Sequence, residues 1–201
     1  MARIEHRIEP SVDQLRTVEG GEDLKYPVNL VAAAVKRDAR DAGFAAPLFD
    51  VRSGYRSIAS QEVLWERALE RYGSAEAADD WVAPPGRSSH HTGGAMDFWL
   101  GYGINSRNVE QIEATEAYRY LRDVLAPKYK LAAYSREPWH WECDAACEEN
   151  ILAMEGIDLP RGVKSTKKIF GKILFGTVIL TAVGGASFLI YTKKTTGEWL
   201  P

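Results

Sequence analysis

Residues 84–98 constrain the fold more than any other stretch of this chain. Two histidines, an aspartate, two serines and three glycines fall within them. Pro84-Pro85-Gly86 is turn punctuation. Gly93-Gly94 can turn the chain between His90 and Asp97, so the stretch reads as a loop entering a strand over residues 94–100. Ala95 lies two before Asp97 and shares its strand face, where a small side chain leaves room for a metal and a substrate. A second stretch, Arg136-Glu137-Pro138-Trp139-His140-Trp141, answers the first. The chain has four histidines, and three of them lie in these two stretches.

The 201 residues suggest one domain with an appendage. A charged fraction of 26% with a formal net charge of −3 gives no global attraction to nucleic acid. Cys143 and Cys147 are too few for a disulfide framework. Four apart on one face of an expected helix, they read as half-buried thiols.

Domain boundaries follow the composition. Residues 1–26 read as a loosely structured lead-in, with charges where a signal peptide would be apolar. Residues 27–158 form the main domain and 159–168 a basic linker. Residues 169–192 form a transmembrane helix, and 193–201 a short tail. Residues 173–191 carry no charge, which is long enough to cross a bilayer as a helix. The expected lipid contact runs over residues 169–191. Basic residues cluster before the span (Arg161, Lys164, Lys167, Lys168, Lys172), so the positive-inside rule places the main domain in the cytoplasm.

Within the main domain, Val31, Val35, Ala39 and Ala42 mark a helix over 29–42, capped by Gly43. Residues 47–51 read as a strand. Ser57 caps a helix whose inner face carries Gln61, Leu64, Ala68 and Tyr72, ending at Gly73. Residues 75–85 read as a connection. A helix is expected over 113–126, with Ala117, Leu121 and Val124 inward and Pro127 closing it. Short strands follow at 131–134 and 138–142, then a helix over 144–154. Helices and strands do not alternate strictly. The expected fold class is α+β, a small, mostly antiparallel sheet with flanking helices.

The chemistry rests on His90, Asp97 and His140. Zinc takes nitrogen and oxygen ligands, and a catalytic site leaves one position for water. Glu137 could exchange protons with that water. On an ideal strand, positions three apart face opposite ways, so Glu137 and His140 share a site only if Pro138 bends the backbone. Taken alone, this segment reads more readily as a surface glutamate and a satisfied core histidine.

Three motifs together carry a resemblance. Ser88 to Asp97 resembles the SxHxxGxAxD motif of the LAS zinc peptidases. Glu137-Pro138-Trp139-His140 resembles their ExWH motif, and Ser53-Gly54-Tyr55-Arg56-Ser57 with Gln61 resembles an upstream SGYRS element. That group contains VanY-type D-alanyl-D-alanine carboxypeptidases and phage L-alanyl-D-glutamate endopeptidases. The resemblance implies one zinc ion held by His90, Asp97 and His140, with Glu137 as general base and Arg56 steadying the oxyanion. It places Ser88 and Gln61 near the substrate. Tyr55 and Trp139 read as walls of the cleft, and His91 as a supporting or exposed residue. The chain departs from the pattern at Gly94, often aliphatic, and at Glu142, where a basic residue is common; neither position is expected to touch a ligand.

The resemblance therefore implies a zinc metallopeptidase that cleaves peptidoglycan stem peptides, either the terminal D-Ala-D-Ala bond or the L-Ala-D-Glu bond. With the C-terminal anchor and no signal peptide, it suggests a phage virion or lysis enzyme in a viral or host inner membrane. The alternative is a catalytically silent, membrane-tethered zinc module that recognises the cell wall.

Overall fold

The computed structural model describes residues 7–157, apart from residue 20, together with the backbone of residues 192–193 and 199–200. The chain divides into two compact units, residues 1–158 and 159–201. In the second unit, β7 (Thr192–Lys193) and β8 (Trp199–Leu200) pair antiparallel. The expected transmembrane helix lies outside the described residues except for Thr192, which belongs to β7 rather than to a helix. No helix among the described residues is long and apolar enough to cross a membrane.

The first unit is α+β, as expected. It opens with β1 (Leu15–Thr17) and β2 (Asp23–Lys25), an antiparallel hairpin. The expectation of a loose lead-in is therefore corrected. Leu24 is fully buried, and Lys25 N–H donates to Gly93 O, so the hairpin is fastened to the domain.

Helix α1 (Val28–Asp41) buries Val28, Val31, Ala32, Val35 and Ala39, an apolar stripe at helical spacing. Residues 47–50 form a turn rather than a strand, with Phe49 at φ 64°. The strand is β3 (Val51–Ser53). Ser57 caps α2 (Ile58–Tyr72) by accepting from Ser60 N–H, and Gly73 ends it in the left-handed conformation. The expected connection over 75–85 contains a short helix, α3 (Ala75–Asp79), because Ser74 supplies a cap by accepting from Ala77 N–H.

A 3₁₀ turn at Ser89–Thr92 leads into β4 (Ala95–Phe98). The expected single helix over 113–126 is instead α4 (Val109–Glu113) and α5 (Glu116–Tyr120), a π-helical turn at Leu121–Leu125, and α6 (Ala126–Tyr129). Pro127 does not close the helix. The widened turn, in which Ala126 N–H bonds to Leu121 O, eases the clash a proline ring makes with the carbonyl four residues before it. The extra residue per turn shifts the buried face: Leu125 is buried and Val124 is exposed, against expectation.

Strands β5 (Ala132–Ala133) and β6 (His140–Glu142) complete a four-stranded sheet in the order β3-β4-β6-β5, antiparallel throughout. Asp144 caps α7 (Ala145–Met154). Cys143 therefore precedes the helix, and it forms a disulfide with Cys147, with Cα atoms 5.2 Å apart. The reading of two free thiols on one helical face is corrected: at the helix entrance the chain brings the residues close enough to bond.

Because side chains alternate along β4 and β6, Met96, Phe98 and Trp141 go into the hydrophobic core. The opposite face carries Ala95, Asp97, His140 and Glu142.

Candidate active site

The sheet register makes the centre of the site. Asp97 lies directly across from His140 on neighbouring strands, so the two side chains meet on one face. Asp97 Oδ1 is 2.9 Å from His140 Nδ1, and Asp97 Oδ2 is 3.4 Å from His90 Nε2. One ligand atom from each residue falls within 4.8 Å of the other two, and all three residues are buried.

Each imidazole is oriented by its far nitrogen. His90 Nδ1 lies 2.6 Å from Gly54 O, so it donates there and turns Nε2 toward Asp97. His140 Nε2 lies 3.1 Å from Ser89 Oγ and 3.3 Å from Glu142 Oε1, leaving Nδ1 for the centre. A metal-binding histidine needs such an outer partner to fix its tautomer. Two oriented imidazoles and one carboxylate form a donor set that suits zinc.

The electrostatics agree with this picture. Burial alone would raise the Asp97 carboxyl, but hydrogen bonds from His140 and His90 hold it well below the usual range. Burial would lower His140, yet its bonds to Asp97 and Glu142 push it up to about 9. The His140 bond lowers Glu142 to about 2.

Glu137 joins the site through two consecutive turns. Glu137 N–H donates to Tyr134 O, and His140 N–H donates to Glu137 O, at 3.2 and 2.9 Å. This is the bend that two residues three apart required. Burial pushes the Glu137 carboxyl up, and the Asp97 charge adds to this against the pull of His140 and of the Trp139 bond. Trp139 is buried in the core rather than walling a cleft, and its indole N–H donates to Glu137 Oε2 at 3.2 Å.

Arg56 is held as a fork: Nη1 donates to Gln61 Oε1 (3.0 Å) and Nη2 to Ser53 Oγ (2.8 Å). Gln61 is buried and also donates to Ala83 O at 2.6 Å, so it props Arg56 rather than presenting a free amide. Ser88 caps the 3₁₀ turn, its Oγ accepting from His90 N–H. Tyr55 turns its hydroxyl to Glu9 (2.9 Å).

Several residues of the site were not singled out from sequence, or were given no part in it. His91 is fully buried: Nδ1 lies 2.7 Å from Arg56 O, and Nε2 accepts from Gly86 N–H at 3.1 Å. It ties the Pro-Pro-Gly loop to the arginine loop. Glu142 does touch a member of the cluster, against expectation; its place two after His140 puts both on one strand face. Ser89 gave no sequence signal, since it reaches His140 only through the fold of the 3₁₀ turn.

Two glycines have steric reasons. A Cβ on Gly54 would lie 2.4 Å from Asp23 O, so only glycine lets β2 pass. A Cβ on Gly94 would meet Cys143 O and Thr92 Oγ1 at 3.1 Å, which accounts for the missing aliphatic side chain.

A cavity of about 440 Å³ between α1 and the hairpin, with Lys36, Arg37 and Arg40 in its lining, contains none of the cluster residues.

A buried His-Asp-His cluster on an antiparallel sheet, flanked by a carboxylate and a fixed arginine, defines a metallopeptidase-like centre. The sequence profile of the D-alanyl-D-alanine carboxypeptidase family VanY matches residues 24–144, and the chain belongs to this family. It is 30% identical over 126 residues to a putative carboxypeptidase, YodJ, of Bacillus subtilis, covering 58% of this chain and 46% of that protein. It is 34% identical over 116 residues to a D-alanyl-D-alanine carboxypeptidase of Enterococcus faecalis, covering 52% and 42%. The matches thus span less than half the length of these relatives. The fold is similar to that of the LdcB LD-carboxypeptidase, with a TM-score of 0.52 and 22% identity over 78% of this chain and 73% of that one.

Proposed function

We propose that this protein is a zinc-dependent carboxypeptidase acting on peptidoglycan stem peptides. The observation that carries the reading is the convergence of His90, Asp97 and His140 with both imidazoles oriented from behind. Family membership and the two carboxypeptidase relatives support the reaction type.

His90 Nε2, Asp97 and His140 Nδ1 would hold the ion. A bound zinc ion supplies Lewis-acid polarisation of the scissile carbonyl and makes water more acidic. Glu137 takes the proton of the attacking water and returns it to the leaving amine. Its half-buried position keeps the carboxylate poorly solvated and therefore more basic. Arg56, fixed by Gln61 and Ser53, offers a preorganised cation to the developing oxyanion. No observation favours the catalytically silent alternative.

The test uses the full-length, zinc-loaded protein on purified peptidoglycan, with products identified by mass spectrometry. Loss of one terminal D-Ala that requires zinc and is abolished in Glu137→Ala is the expected result. New N-terminal D-Glu would replace the carboxypeptidase reading with an endopeptidase. No product from folded, zinc-loaded protein would refute both.

We also propose that residues 169–192 anchor the protein in a membrane, of a phage virion or of the host. The Cys143–Cys147 disulfide supports a peptidase unit on the oxidising side of that membrane, because such bonds are rare in the cytoplasm. This opposes the orientation expected from the basic flank. Digestion of the unit by protease added to intact host spheroplasts is expected; digestion only after the cells are broken would overturn the placement.

A further inference from the structure

We propose that Trp81, backed by Tyr72, is a platform for a sugar ring of the glycan strand that carries the stem peptide. The inference rests on the reading of peptidoglycan as the substrate. It starts from an aromatic side chain that the catalytic scheme does not use.

Trp81 is 53% exposed. A single exposed apolar residue usually needs no explanation. This one is held in place. Its ring stacks on Tyr72, with centroids 6.2 Å apart and planes at 17°. The Arg71 guanidinium in turn lies 5.5 Å from the Tyr72 ring centre. Trp81 N–H donates to Ala78 O at the end of α3, which fixes the backbone. The indole is thus preorganised while much of its surface stays in water, an arrangement that favours binding because little side-chain freedom remains to be lost.

The platform is tied to the active site on both sides. Asp80, immediately before it, pairs with Arg136 at 3.7 Å, and Arg136 adjoins Glu137. Ala83, two residues after it, gives its carbonyl to Gln61, the same side chain that holds Arg56. The residues flanking Trp81 in sequence are thus joined to both halves of the proposed catalytic machinery.

A pyranose has one face of C–H groups and an edge of hydroxyls. The indole suits the face. Asp80 and Arg136, charged and exposed next to it, suit the hydroxyl and amide groups at the edge. In peptidoglycan each stem peptide hangs from a sugar, so a ring of this kind accompanies every scissile bond. An aliphatic or lipid occupant would not use the charged pair.

The experiment uses the full-length, zinc-loaded protein and two soluble substrates with the same pentapeptide, one free and one carrying its disaccharide. The wild-type protein is expected to favour the disaccharide form in kcat/KM, by about two- to tenfold and mainly through KM. Trp81→Ala is expected to bring the ratio close to one, and Trp81→Phe to keep part of it. A ratio unchanged in Trp81→Ala would overturn the proposal. A second readout needs no turnover: the Trp81 indole N–H resonance, assigned by its loss in Trp81→Phe, is expected to move when the free disaccharide is titrated in. No movement at millimolar disaccharide would also overturn it. If neither substrate is cleaved but the resonance moves, the peptidase reading fails and the sugar platform stands.

Discussion

Metal uptake by this site should be coupled to a proton on His140. In the chelator-stripped protein, Asp97 and Glu142 grip the two ring nitrogens of His140 and push its pKa up to about 9. A metal can take Nδ1 only after that nitrogen has lost its proton. Well below pH 9 the protonated ring dominates, so apparent affinity is reduced; as pH rises through about 9 the proton leaves unaided and affinity levels off. Between about pH 7 and pH 9 the apparent zinc affinity should rise roughly 50-fold, or ~2.3 kcal/mol. Competition against a chromogenic chelator, corrected for the chelator's own protonation, measures the rise. Calorimetry in buffers of different ionisation enthalpy should show about one proton released per zinc near pH 7. Ionisation of water on the metal could mimic part of this slope, and Glu142→Gln separates the two. Removing the carboxylate from Nε2 lowers the His140 pKa, so the plateau should be reached at lower pH. The same pH dependence in wild type and Glu142→Gln would refute the assignment of the proton to His140.

Three further outcomes are expected. Gly54→Ala drives a Cβ into Asp23 O and should cost about 1–3 kcal/mol in urea unfolding, with weaker zinc binding because the Gly54 carbonyl orients His90. His91→Phe strands the Arg56 carbonyl and the Gly86 amide, at about 1–3 kcal/mol for each buried group; its kcat should fall, and His91→Gln should recover part of both losses. Reduction of the disulfide reopens a five-residue loop and should lower stability by about 2 kcal/mol, seen as a wild-type melting temperature that falls in dithiothreitol to that of Cys143→Ser/Cys147→Ser protein, which dithiothreitol leaves unchanged.

The parts of this molecule that were legible in sequence are those set by local rules. The α1 stripe, the Ser57 cap and the Gly73 stop depend on residues within a turn or two of one another. The cluster was legible through its motifs. The parts that were not legible depend on distance or on a change of phase. β1 and β2 are three residues each, too short for a period to show, and their reason to form is contact with Gly54 and Gly93 far along the chain. The π-helical turn moved burial from Val124 to Leu125 by one residue, which no fixed 3.6-residue period anticipates. The disulfide was missed because Cys143 was assigned to the helix that Asp144 begins only afterwards. Glu142 was read as a departure from a pattern when its strand position already placed it beside His140.

The β2 backbone is bonded to Tyr55 and Gly93, and this has a consequence for when the site is completed during folding. The first hairpin, the arginine loop, the histidine turn and β6 come from four separate parts of the sequence, and His140 is among the last residues of the sheet. No fragment that folds from local contacts holds all three donors. Closing such long loops is slow compared with forming α1 or α2. A nascent or partly folded chain therefore lacks the complete donor set, which appears as an all-or-none property of the completed domain.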